Sequence, residues 1–393
     1  MNFKLTTEEE TGVIAFRHER HRHPELSHKE YETTKKIKEY LNAIPGVEIL
    51  SLPTLKTGVL ARIRGMKEGK EVALRSDIDA ICQTEENDLP WKSEIPGIMH
   101  ACGHDFHMAS LLGAAHILAR NRENIAGTID LIFQEAEEDT SGMQEMLDDG
   151  MLNIIHPEAV FGLHNRPEVM TGQVVCHKGP LMAGKTNARV KIKGKGGHGS
   201  MPHLTIDPIV TVAAMITALQ TIVSRNTDPM DSLVLTVGYV HGGTPEYLVV
   251  DEAEIGVTMR ALKKETMETA LKHFEMIVQN TAASYGCESE IIYEEKLPCV
   301  DNPKELYEMA KKAAENVVGK ENIIDTPPAL ASEDFAVLQN RIKGWFYWIG
   351  SGTEGKENAA WHKPHFEAND AGIRVAAEVL SEAAMLYLQD RED

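Results

Sequence analysis

KTNARVKIKGKGG, residues 185–197, reads as a strand, and the segments that follow it decide the architecture. TIDPIVTVAAMITALQTIVSR (205–225) has the spacing of a helix, SLVLTVGYVHGG (232–243) and EAEIGVTMRAL (252–262) are two strands, ETMETALKHFEMIVQNTAASYG (265–286) is a second helix, and ESEIIYEE (288–295) is a last strand. The order β-α-β-β-α-β predicts an antiparallel four-stranded sheet with two helices on one face, a self-contained ferredoxin-like domain. Upstream the pattern is different. EVALRSDIDA (71–80) and GTIDLIFQEAEE (127–138) read as strands on either side of a helix, HMASLLGAAHILARNRE (107–123), the signature of βα units on a largely parallel sheet. Downstream, PKELYEMAKKAAENVV (303–318) is helical and GWFYWIG (344–350) is a buried strand. The fold is therefore expected to be α/β, with residues 184–293 inserted into a larger domain built from 1–183 and 294–393.

A chain of 393 residues with 42% hydrophobic and 25% charged residues is ordinary for a soluble globular protein with a sizeable core. Its formal net charge of -20 is spread along the sequence and repels phosphate backbones, so nucleic acid is not an expected partner. The N-terminal residues lack the basic-then-apolar pattern of a signal peptide, and no uninterrupted run of about 18 apolar residues occurs. A membrane is not expected either. Five cysteines, Cys82, Cys102, Cys176, Cys287 and Cys299, are an odd number at irregular spacing, which suits a reducing compartment. A cytoplasmic location is expected.

MHACGHDFH (99–107) packs a cysteine, three histidines and an aspartate around one glycine. Thiolate, imidazole and carboxylate form the ligand set of zinc and similar divalent metals, and a functional site would draw them from several strand ends. FQEAEED (133–139) places Glu135, Glu137 and Glu138 at the end of an apolar strand, the usual edge for α/β active sites, although a solvated acidic turn would look the same. AVFGLHNRP (159–167) contributes His164, and WHKPHF (361–366) contributes His362 and His365. Cys102 as a nucleophile with His104 or His107 as its base is a second reading, since a thiolate and a nearby imidazole are its minimum needs.

These segments, taken with RHERHRHPELSHKEY (17–31), LRSDIDA (74–80), KGKGGHGSMPH (193–203) and SEDFA (332–336), stand in the order and spacing of one family. The sequence resembles the M20 family of metal-dependent amidohydrolases and peptidases, in the branch of N-acyl-amino-acid deacylases, hippurate hydrolases and auxin-conjugate hydrolases. The resemblance implies a catalytic domain with a mostly parallel sheet and an inserted lid that makes a homodimer. It also implies two divalent ions per subunit (zinc, manganese, cobalt or nickel) held by Cys102, His104, Glu138, His164 and His362. Glu137 matches the general base that activates water for attack on an amide bond. His198 matches a histidine that reaches the partner subunit's site, and Arg260 an arginine that grips the substrate carboxylate. The implied substrate is a small N-acyl amino acid. A dipeptide, or a silent ligand-recognition role, is the alternative. Asp77 and Asp79 are expected to orient ligand imidazoles, with His100 and His365 as further supports, and His107 to pack or cap at a helix start. Three positions depart from the family pattern: Phe106, expected to reshape the wall beside the ligands; Tyr247, in GGTPEYLVVD (242–251), where the family has asparagine; and Glu135, where proline is common.

Overall fold

The computed structural model describes residues 3–243 and 245–390; Thr244, inside the GGTPEYLVVD segment, lies outside the described residues. Two compact units result: Met1–Gly179 with Asp301–Pro327 and Val337–Asp393, and Pro180–Val300 with Pro328–Ala336. The smaller unit extends beyond 184–293 at both ends and includes a detached stretch. That stretch is tied in by backbone bonds, the Ala183 N–H donating to the Ala329 and Ala331 carbonyls.

The larger unit begins with α1 (Thr7–Arg22), α2 (Tyr31–Asn42), β1 (Val47–Leu50), β2 (Val59–Arg64), β3 (Lys67–Asp77), α3 (His104–Arg120), β4 (Ala126–Gln134), β5 (Ala159–Met170) and β6 (Val174–Val175). The smaller unit supplies β7 (Gly184–Lys193), α4 (Pro208–Asn226), β8 (Leu233–His241), β9 (Glu252–Ala261), α5 (Lys264–Ser284) and β10 (Glu288–Leu297). The chain then returns with α6 (Lys304–Val318), β11 (Ile323–Ile324), β12 (Lys343–Gly352) and α7 (Ala371–Gln389).

In the larger unit eight strands form one sheet in the order β1-β2-β4-β3-β5-β12-β6-β11. Its centre, β4-β3-β5-β12, is parallel throughout and flanked on both sides by antiparallel pairings, with β6 and β11 parallel at one edge. Val72 to Asp77 of β3 are all buried, because helices cover both faces of such a sheet. α3 shows the same pressure: nearly all of its residues are buried, and it packs against α1 and α7. Because β3, β4 and β5 run the same way, their carboxyl ends share one edge.

The smaller unit is the β-α-β-β-α-β module expected from its pattern. Its strands pair in the order β8-β9-β7-β10, all antiparallel, and α4 and α5 pack on each other and on the sheet around their own core. α4 is apolar and long enough to cross a membrane by length and composition. Its Thr211, Val212, Met215, Leu219 and Ile222 nevertheless recur at helical spacing and are buried in the unit, the pattern of a core-facing helix.

Candidate metal centre

The carboxyl edge of the parallel strands gathers six of the residues singled out by sequence. Cys102 and Gly103 lead into α3, whose first residue is His104; Glu137 and Glu138 lie just past β4; His164 is on β5; and His362 comes from the loop between β12 and α7. Gly103 has φ +89, and a Cβ there would stand 2.3 Å from Asn165 Nδ2, so glycine is what lets the chain turn from Cys102 to His104.

Cys102 Sγ stands 3.3 Å from His164 Nε2. His104 Nε2 is 3.9 Å from Glu137 Oε2 and 3.7 Å from Glu138 Oε1, and His362 Nε2 is 3.4 Å from Glu138 Oε2. The donors fall into three overlapping groups, Cys102/His104/His164, Cys102/Glu138/His362 and His104/Glu137/Glu138, within each of which the ligand atoms lie within 4.8 Å of one another. Cys102, His104 and Glu138 each belong to two of the groups and so link them.

The other side of the His104 and His164 imidazoles is fixed. Asp79 Oδ1 accepts from His104 Nδ1 at 3.0 Å, while Asp79 Oδ2 accepts from the Glu138 N–H at 3.0 Å and from Ser27 Oγ at 2.8 Å. One carboxylate therefore orients a histidine and a glutamate together, as expected for Asp79. The His164 Nδ1–H donates to the Asn165 carbonyl at 2.8 Å, which leaves Nε2 to face Cys102. Burial opposes a charge on His104, yet Asp77, Asp79 and Glu138 carry its pKa up to about 10. Burial, with Glu138, Glu137 and Asp77 adding to it, pushes the Cys102 thiol well above its usual range. A thiol so placed is not an activated nucleophile, which speaks against the cysteine-hydrolase reading. A cation among the donors would reverse the preference and draw the thiolate out.

The donor set fits a metal on a further count. His104 Nε2 and Glu138 Oε1 are buried with no hydrogen-bond partner, a costly state for both atoms. Their separation is too long for a hydrogen bond and suits donors around a common ion, each about 2.0–2.3 Å from it. All four non-glycine residues with positive φ among those described, His28, Ala136, Thr140 and His362, either belong to the cluster or lie in the two segments packed beside it, a concentration of backbone strain expected of a functional site.

Several expectations change. His107 packs, as expected, and does more than cap: its Nδ1 lies 2.6 Å from Asp77 Oδ1 and its Nε2 accepts from the Asn165 N–H at 2.9 Å, so both ring nitrogens are committed to joining β3, α3 and β5. Asp77 orients His107 more directly than it does His104, from which it lies 3.8 Å away. Phe106 does not line the ligand wall. Two residues on from His104, about 200° around the helix, it points into the core against Gly372. Glu135 stays out of the acidic pair and is wholly buried over Gly58. His100 is buried with neither ring nitrogen hydrogen-bonded, and exposed His365 pairs with Glu86, so neither orients a ligand. His198 and Arg260 are in the smaller unit. His198 is exposed with Nδ1 accepting from Ser200, and half-buried Arg260 donates to Ser332. Tyr247 is also there and exposed.

Sequence reasoning missed Asn165. Its side chain donates to the Cys102 carbonyl and its backbone serves both His107 and His164. Its place directly after His164 in GLHN was the available signal.

Overlapping metal-donor groups with a further buried carboxylate beside them make this the centre of a metal-dependent hydrolase. The chain belongs to peptidase family M20/M25/M40, whose model matches residues 73–386. It is 39% identical over 379 residues to the N-acetylcysteine deacetylase of Bacillus subtilis (strain 168), covering 96% of this chain and 97% of that one. It is 36% identical over 381 residues to the IAA-amino acid hydrolase ILR1-like 4 of Arabidopsis thaliana, covering 96% and 86%. Among solved structures it matches the YxeP protein of Bacillus subtilis, described as a dinuclear metal-binding peptidase of the M20 family, with a TM-score of 0.86 and 35% identity over 98% of this chain and 99% of that one.

Proposed function

We propose that the protein hydrolyses the amide bond of a small N-acyl amino acid, with two divalent ions held by Cys102, His104, Glu138, His164 and His362 and with Glu137 as general base. The observation that carries this reading is the convergence of three overlapping donor groups on one sheet edge, with His104 Nε2 and Glu138 Oε1 buried and unpartnered. When bound, the ions supply Lewis acidity that lowers the pKa of water and polarises a carbonyl. Glu137 takes the proton of the attacking water and returns it to the leaving nitrogen. A cleft of about 460 Å³, lined by Leu26, Ala80, Ile81 and Gln83 and bounded by Glu138 and His362, gives a small substrate room beside the donors.

His198 as a stabiliser of the tetrahedral intermediate and Arg260 as the carboxylate anchor belong to the same reading. So does a homodimer formed through the smaller unit: Ile209, Val210 and Val223 of α4 and Val234 and Val240 of the edge strand β8 are apolar and exposed. The metal is zinc, manganese, cobalt or nickel, all of which suit a mixed thiolate, imidazole and carboxylate set. A cytoplasmic setting is supported by five cysteines that are all unpaired.

The test is release of free amino acid from N-acetyl, N-benzoyl and dipeptide substrates by metal-reconstituted protein, with and without chelator. Chelator-sensitive cleavage of the N-acyl substrates is expected. Cleavage of dipeptides alone would move the assignment to a dipeptidase, and silence with metal bound would move it to a ligand-recognition role.

A further inference from the structure

The segment ELSHKE (25–30), conspicuous in sequence, supplies no metal donor, yet residue by residue it grips the segments that do. Leu26 bridges Ala80, Ser27 donates to Asp79, and His28 meets Ser141 at 3.1 Å and Asp139 at 3.2 Å. Glu25 accepts from the Glu32 and Thr33 N–H groups at the start of α2 and so holds the segment's far end. Glu30 reaches deepest. It is fully buried, its Oε1 accepts from the Ala136 N–H at 2.9 Å, and its Oε2 makes no hydrogen bond. Ala136 directly precedes Glu137 and has φ +51, a conformation that a residue with a Cβ rarely holds without outside support.

We propose that Glu30 is a positioning residue for catalysis: its Oε1, by accepting the Ala136 N–H, holds the left-handed turn that aims the Glu137 carboxylate at the substrate side of the donor cluster. The turn is closed on its other side by the Gly142 N–H donating to the Ala136 carbonyl and the Thr140 N–H donating to the Glu137 carbonyl. Glu30 is itself braced, since its own carbonyl accepts from the Thr34 N–H, and Thr34 Oγ1 accepts from the Gly58 N–H beneath Glu135. Burial, with Asp79 adding to it, pushes the Glu30 carboxyl up to about 7. A protonated carboxyl still accepts through its carbonyl oxygen, so an amide can replace it, whereas a side chain one methylene shorter cannot reach.

The inference rests on Glu137 being the base, so Glu137→Gln is measured alongside. The test compares Glu30→Gln, Glu30→Asp and Glu30→Ala for kcat, KM, the acid limb of the pH profile and bound metal. Glu30→Gln is expected within about twofold of the parent kcat. Glu30→Asp and Glu30→Ala are expected to lose about tenfold or more in kcat, with KM nearly unchanged, both ions retained and the acid limb displaced, because a misaimed base gives up part of the 10²–10⁴-fold that such a group contributes. Parent kcat and pH profile in Glu30→Asp, or a Glu30→Gln protein as slow as Glu30→Asp, would overturn the proposal. Should Glu30→Ala fail to fold, the Asp and Gln variants decide it alone. A Glu137→Gln protein that keeps its activity would instead overturn the assignment of the base.

Discussion

Glu137 and Glu138 are neighbours in sequence with different surroundings. Sequence reasoning placed them at a strand end, where neighbouring side chains point in different directions. In the structure β4 stops at Gln134, and both lie in a tight turn entered through left-handed Ala136 and followed by left-handed Thr140. The turn gives them different neighbours: the Glu138 N–H is fixed by Asp79 and its carboxylate lies among Cys102 and His362, while Glu137 meets the cluster through His104. Glu137→Gln keeps the shape and removes the basic oxygen. It is expected to bind two ions per subunit and to lose about 10²–10⁴-fold in kcat. Metal content by mass spectrometry together with turnover checks this, and loss of metal in parallel with rate would make Glu137 a ligand instead.

Among the elements, α3 links the cluster to the scaffold. Asp105, next to His104, accepts from Arg17 Nε of α1 at 2.7 Å and lies 2.8 Å from His21 Nδ1, while Arg17 also donates to Asp370 at 2.7 Å beside the start of α7. Burial would raise the Asp105 pKa, but Arg17 and His21 hold it well below the usual carboxylate range; Asp370 is lowered in the same way, with His18 and Arg17 overcoming burial. With folded values below the unfolded value of about 3.9, the stabilisation is complete above that pH and lost as the pH falls toward the folded values. Metal-free protein should therefore lose Tm steeply below about pH 4. Arg17→Met should cost about 3–5 kcal/mol at neutral pH by taking the guanidinium from fully buried Asp105, which then keeps only His21, and its Tm should fall less steeply below pH 4. Equal slopes in thermal melts would remove the network from this role. The elements themselves were legible because their signal is local: β12 as a continuous apolar run, α4 and α5 as helical periods. What the network and the cluster depend on was not legible, because Arg17 meets Asp105 and Glu30 meets Ala136 across long sequence separations that no period records. Phe106 was misplaced for a related reason, since sequence adjacency to His104 says little about which way a helix turns the next side chain.

For the whole molecule, the sequence pattern separated the two units, but their boundaries followed long-range backbone bonds such as Ala183 to Ala329 and Ala331. Two copies, each with a formal charge of -20, repel one another, so a dimer must rest on apolar surface, and the exposed valines of α4 and β8 are the candidates. Added salt should then strengthen association by screening the repulsion, which sedimentation would show. A dimer in which His198 serves the partner subunit's site makes a sharper demand. His198→Ala and Glu137→Gln proteins should then each be nearly inactive as homodimers, while a mixed dimer would have one site with both groups intact and one with neither. After complete exchange at equal concentration half the dimers are mixed, so roughly a quarter of the parental rate should return. A His198 acting within its own chain would give no recovery, since every site would then lack one group or the other. Measuring the rate during subunit exchange, with native mass spectrometry to count mixed dimers, separates the two arrangements.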